Sequence, residues 1–180
     1  MSRLPPLDPA SLTPEQQRVA TDIAGARGNV RGPFTIWLRN PALAEHANRF
    51  GTVLRDSKVL DRRLFELVVI TVCRAWSVQY AWSSHAPAAE KAGVSPEVVA
   101  AIRDNRRPDF SREDERVAYD AANEIMQTKE LSRATYDRAI AQFGADGTVD
   151  LISTVGYYAM VGIFLKSFDV PTPTGDKPLK

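Results

Sequence analysis

The sequence predicts an all-α chain, on three observations. The triplets Thr13-Pro14-Glu15 and Ser95-Pro96-Glu97 each supply an N-cap hydroxyl, a proline at the first helical position and an acid near the positive end of the helix dipole. Gly93 and Gly144 stand where helices need a left-handed closing residue. The one strongly β-branched run, "LVVITVC" at 67–73, satisfies a buried strand by periodicity, but no partner strand is visible elsewhere, so it is assigned to a helix.

Taken in order, "MSRLPPLDP" reads as an extended arm and Thr13 caps the first helix. Short turns are expected at 28–34 ("GNVRGPF"), 106–111 ("RRPDFS") and 143–148 ("FGADGT"). The apolar helix that begins before Glu66 is expected to break at Trp76-Ser77, with Ser77 as N-cap of "VQYAWSSHAPAAEKA", which Gly93 closes. Ser111 with Asp114 approximates a capping box before "ERVAYDAANEIMQ", and Ser132 opens "RATYDRAIAQF", closed by Gly144. The run "LISTVGYYAMVGIFL" at 151–165 is about 15 residues, below the roughly 18 that make a membrane span plausible. Apolar on all sides, it reads as a buried helix or subunit interface, which predicts a homo-oligomer. The chain closes on a second extended arm, "VPTPTGDKPLK".

Composition narrows the partners. A chain of 180 residues fits one domain and buries roughly 70% of its unfolded surface. Lys+Arg 23 against Asp+Glu 22 leaves a formal charge of +1, so no global field recruits nucleic acid or an anionic membrane. The basic turn of Arg103, Arg106 and Arg107 reads as solvated surface. A single cysteine, Cys73, excludes an internal disulfide framework and reads as a small buried hydrophobe. With no apolar signal core at the N-terminus, a cytoplasmic protein is expected. His46, expected to be exposed, and His85 form no H-x-x-x-H or H-x-x-E-H arrangement, so no metal is expected. "GARGNVRG" is no dinucleotide fingerprint, and neither Ser83 nor Ser84 lies on a nucleophile elbow.

The stretch "FELVVITVCRAWSVQYAWSSH", residues 65–85, carries one carboxylate, Glu66, and one imidazole, His85, in otherwise apolar surroundings. On one straight helix their 19 positions span roughly 28 Å and the two cannot touch. A break at Trp76-Ser77 folds the second helix back and brings Glu66 against the stripe Val78, Ala81, Trp82 and His85. Pro87 removes an amide inside that helix, beside the imidazole. Glu66 accepting from one ring nitrogen fixes the tautomer and leaves the other to move protons. The bland alternative is a buried acid paired with Arg62, Arg63 or Arg74 to tie helices together.

A glutamate, eleven residues and then the frame of C-x-x-C-x-x-x-H resembles the carboxymuconolactone decarboxylase and alkylhydroperoxidase D superfamily. Glu66 and His85 match its acid and histidine, while Val78 and Ala81 stand where the two cysteines would be. Further likeness lies in "GPFTIWLRNPALAEHANRFGTVLR", "LDRRLFELVVITV", "HAPAAEKAGVSPEVV" and "LISTVGYYAMVGIFLKSFDVPTP". The resemblance divides the chain into an arm and first helix at 1–29, a helical domain at 30–173 and a tail at 174–180.

The resemblance implies an alkylhydroperoxidase D-like helical domain, assembled as a trimer or hexamer, with its site near a subunit contact. In the peroxidase branch a thiolate attacks a hydroperoxide and a second cysteine resolves the sulfenic acid, roles that Val78 and Ala81 cannot fill. Thiol-free relatives carry an acid at the position of Ala81, giving "YEW" where this chain has "YAW". The decarboxylases of the family take a lactone bearing a carboxylate, release carbon dioxide without a cofactor and reprotonate the extended enolate. On that reading His85 moves the proton and Glu66 orients it. Arg31, Arg39 and Arg74 are candidates to hold the remaining carboxylate, and Trp37, Trp82, Tyr80 and Tyr157 to wall the pocket. A thiol-peroxidase relative that has lost its cysteines, and a helical oligomer without chemistry, are the competing expectations.

Overall fold

The computed structural model of the chain describes residues 2–179, so Met1 and Lys180, the outer bounds of the expected arm and tail, lie outside the described residues. Among these residues the regular structure is entirely helical. After a short 3₁₀ turn, Pro9–Ser11, come α1 (Pro14–Arg27), α2 (Phe34–Trp37), α3 (Pro41–Arg55) and α4 (Arg62–Ala75). They are followed by α5 (Gln79–Ala92), α6 (Pro96–Arg103), α7 (Glu113–Thr128) and α8 (Arg133–Ser167).

The apolar run at 67–73 is helical because α4 is the central element, packed by α5, α7 and α8, with every residue from Arg63 to Cys73 buried. A helix covered all round has no use for a polar face, and tertiary packing overrides β-branched propensity. Asp61 starts it by accepting from the Leu64 amide.

The expected helix starts stand at Thr13, Ser95 and Ser132, whose hydroxyls accept from the amides of Gln16, Val98 and Thr135. Two starts differ. Ser77 is not an N-cap: it closes α4 at φ 49°, with its amide bonded to the Arg74 carbonyl and that of Val78 to the Cys73 carbonyl. This pair of bonds is a Schellman closure, and α5 then starts from Val78 with no side-chain cap. The Ser111–Asp114 box does not form either, since α7 starts after Arg112 with no side-chain cap. Asp114 is drawn instead to Arg63, at 2.6 Å, and Glu115 meets the same guanidinium at 2.7 Å, tying α4 to α7.

Gly144, at φ 68° and ψ −176°, is a kink inside α8 rather than the start of a separate turn, so the expected break at 143–148 shrinks to one residue. Together the two segments make α8 long and apolar enough to cross a membrane by length and composition. Half of its most apolar window is buried inside the protein, against α4 and α7 among others.

Both arms are docked. Ser2 Oγ and the Arg3 amide each donate to the Phe168 carbonyl at 2.8 Å. Segment 170–179 returns across α5, where the Gln79 side chain both donates to and accepts from the Leu179 backbone.

Candidate active site

The Schellman closure at 76–78 turns α5 back along α4 and sets His85 Nδ1 2.7 Å from Glu66 Oε2. Glu66 has no solvent exposure, while the His85 side chain keeps 22%. With Glu66 ionised the carboxylate only accepts, so Nδ1 is the donor and Nε2 remains for chemistry. Arg62, one turn before Glu66 on α4, places Nη2 2.6 Å from Oε1. That contact neutralises charge but lies outside hydrogen-bond geometry, and Oε1 has no aligned donor. Sequence reading gave the acid two alternative partners, a histidine or an arginine, and it has both.

The pair lines a cavity of about 420 Å³ together with Arg62, Tyr80, Tyr157 and Tyr158. From α5 the lining face is Ala81, Ser84, His85 and Ala88, so Ala81 and His85 of the expected stripe are there and Val78 and Trp82 are not. Arg27, Arg31 and Arg55 complete the polar lining. Four arginines thus face a single carboxylate among the described lining residues, a strong excess of positive charge. Arg27 donates to Asn48 Oδ1 at 2.6 Å and lies 4.5 Å over the Phe34 ring, neither contact supplying an anion. Burial, with a smaller push from Arg55, holds its pKa below the ordinary guanidinium value.

Burial governs the phenols. It raises Tyr157, whose hydroxyl donates to the Ala47 carbonyl at 3.1 Å. It raises Tyr158 well above the ordinary value, with the Glu66 carboxylate adding to the effect. The Tyr158 ring meets His85 edge-on, centroids 5.0 Å apart, and packs against Phe65 and Tyr157. Cys73 is buried outside the lining, and burial followed by Glu66 pushes its thiol up, so it stays protonated.

Of the residues singled out from sequence, Glu66, His85, Arg31, Tyr80 and Tyr157 converge on the cavity. Four do not. Arg39 is exposed and donates to the Pro5 carbonyl. Arg74 sits at the corner between α4 and α5, donating to Ser77 Oγ at 3.1 Å. Trp37, 1% exposed, is core between Phe34, Tyr157 and Phe164. Trp82 faces a separate cleft beside Pro173. Sequence reading missed Arg27, Arg55 and Tyr158 as lining residues and took Arg62 only as a structural partner. A signal existed for Arg62, one helical turn from the buried acid. Arg27 and Arg55 are simply the last residues of α1 and α3. Among the described residues no cluster of His, Cys, Asp or Glu is placed to hold a metal ion.

Residues 41–124 match the carboxymuconolactone decarboxylase family. No curated protein matches the chain. Among solved structures, the alkylhydroperoxidase D core of a peroxidase-related protein from Ralstonia eutropha superposes with TM-score 0.78 at 14% identity, covering 95% of this chain and 92% of that one. The debrominase Bmp8 in its apo form gives TM-score 0.75 at 17% identity, covering 94% and 91%. Its cysteine-to-alanine variant in complex with 2,3,4-tribromopyrrole gives 0.72 at 18%, covering 91% and 88%. The fold is therefore an alkylhydroperoxidase D-like helical domain. Over residues 41–124 the chain is thus similar to the carboxymuconolactone decarboxylase family, and its fold is that of the alkylhydroperoxidase D-like structures.

Proposed function

We propose that the chain is a cofactor-independent enzyme that decarboxylates, or moves a proton on, a small lactone or organic acid. The observation that carries this reading is the 2.7 Å Nδ1···Oε2 contact between His85 and the buried Glu66 in an arginine-lined cavity. Arg27, Arg31 and Arg55 hold a carboxylate that the substrate keeps. The bond to a second carboxylate breaks, carbon dioxide leaves, and the electron pair stays behind as an extended enolate. The His85 imidazolium then delivers its Nε2 proton to carbon, and the neutral ring is recharged from solvent. Glu66 stabilises the imidazolium and holds its orientation. Such acid–base help is typically worth 10²- to 10⁴-fold.

A thiol mechanism has no nucleophile here, since Val78 is in the core, Ala81 lines the cavity and Cys73 is a buried, protonated thiol. The debrominase neighbour holds a small flat ring, 2,3,4-tribromopyrrole, a ligand that fits a cavity of this size. The test is a screen of unsaturated lactones and carboxylic acids for carbon dioxide release or solvent-deuterium uptake, run beside a thiol titration with hydroperoxide. Turnover that Arg27→Gln weakens mainly through KM supports the reading. Hydroperoxide consumption matched by loss of the Cys73 thiol overturns it.

The same reading includes a homotrimer or homohexamer. Phe50 and Val53 of α3, and Val149, Ile152 and Ile163 of α8, are large apolar side chains left exposed, and a subunit contact would cover them. Light scattering that returns a monomer mass at micromolar concentration refutes this part.

A further inference from the structure

Three tyrosines line the cavity, and their hydroxyls are not equivalent. That of Tyr157 is committed to the Ala47 carbonyl. Tyr80 is only half-buried, and its ring packs on Gly32. Tyr158 is 7% exposed, and among the described residues its hydroxyl has no protein hydrogen-bond partner. That hydroxyl is not among the fully buried unpaired polar atoms, so it keeps access to the cavity that Tyr158 lines and is free to donate to a ligand or water there. Its ring is held edge-on by His85, Phe65 and Tyr157 at interplanar angles of 86°, 74° and 77°, which leaves little rotational freedom.

We propose that the Tyr158 hydroxyl is the hydrogen-bond donor to the enolate oxygen on which charge builds as carbon dioxide leaves, before His85 protonates carbon. This rests on the proton-transfer reading above. It adds the group that receives the developing charge, which the acid–imidazole pair and the arginines do not supply. A preorganised donor in a water-poor site stabilises charge that appears only in the transition state. Tyr158 suits that role because burial, with the Glu66 carboxylate adding to it, holds its proton on well above the ordinary phenol range. The donation is a hydrogen bond, not a transfer: the proton that ends on carbon comes from His85, and the phenol is unchanged at the end of the cycle.

Tyr158→Phe keeps the ring and its three aromatic contacts, so the melting temperature should stay near that of the wild type. Turnover should fall roughly 10- to 100-fold in kcat with KM little changed, the range of one hydrogen bond to a charged acceptor. A second measurement does not need turnover. para-Nitrophenolate mimics the enolate, and benzoate carries a carboxylate without the second oxyanion. Both are titrated at a pH where the probe is ionised and the tyrosine is not. Tyr158→Phe should weaken para-nitrophenolate roughly 10- to 100-fold and leave benzoate unchanged. If the wild type turns over no acid or lactone while this selective loss persists, the proton-transfer reading fails and the oxyanion donor stands. Equal affinity of variant and wild type for para-nitrophenolate, no binding of it by the wild type, or full kcat in Tyr158→Phe each overturns the proposal.

Discussion

His85→Gln and His85→Ala separate a catalytic pair from a structural one. Glu66 is fully buried, its Oε2 is held by Nδ1 at 2.7 Å, and its Oε1 has only the off-axis contact with Arg62. Truncation to alanine leaves a buried carboxylate with one cation and no aligned donor, a loss of about 1–3 kcal/mol. For a domain of this size each kcal/mol lowers the melting temperature by about 2–4 °C, so His85→Ala should melt roughly 2–12 °C lower. Glutamine can still donate to Oε2 and fills similar volume, so its stability should lie within about 1 kcal/mol of the wild type. Both variants should lose about 10²- to 10⁴-fold in turnover, because neither side chain carries a proton that it can give up near neutral pH. The assay is differential scanning fluorimetry beside steady-state kinetics on a substrate from the screen above. A folded His85→Gln with full activity refutes the proton-donor role. A loss in His85→Ala that merely follows the loss of folded protein would leave the pair structural.

Three further outcomes are expected. Arg63→Ala leaves Asp114 and the buried Glu115 without their guanidinium and should cost about 3–5 kcal/mol; a urea midpoint within experimental error of the wild type refutes it. Gly51→Ala normally favours a helix, but here the new Cβ would stand 2.5 Å from the Tyr157 hydroxyl and 2.9 Å from Arg27 Nη2. It should therefore destabilise by about 1–3 kcal/mol and weaken benzoate binding, whereas a rise in melting temperature contradicts the packing. Burial raises the Tyr157 and Tyr158 pKa in the fold, so above pH about 10 the unfolded chain gives up protons that the folded chain retains, and stability falls as pH rises. For Tyr158 the slope approaches about 1.4 kcal/mol per pH unit until the folded-state phenol itself ionises. Chemical denaturation of Tyr158→Phe across that range should show a shallower decline, and an unchanged slope would count against this burial.

Much of the helical frame was legible because its signals are local. A cap hydroxyl, a proline at the next position and the amide it serves lie within one turn, so Thr13, Ser95 and Ser132 announce their helices without help from the rest of the chain. The assignment of α4 needed only the absence of a partner strand. Glu66 and His85 were visible because two polar groups in an apolar run must find company inside.

Closures were legible only where glycine marks them. Gly93 ends α5, but Ser77, Asn105 and Asp169 end α4, α6 and α8 in the same left-handed region without that signature. Ser77 was accordingly read as a cap for the helix that follows. The capping box at Ser111 failed for a different reason: Asp114 answers to Arg63, which is distant in sequence and adjacent in space. The cavity wall depended on tertiary structure throughout. Arg27 and Arg55 end helices and look like ordinary dipole-compensating cations, and only the packing of α1 on α3 turns them into the lining that Arg39 and Arg74 were expected to provide. Likewise nothing in "GYYAM" distinguishes the tyrosine committed to the Ala47 carbonyl from the one left facing His85. Capping and burial follow from residue type and near neighbours. Which face of a buried helix meets a cavity follows from the angles at which several helices pack, and those are set by contacts tens of residues apart in the chain.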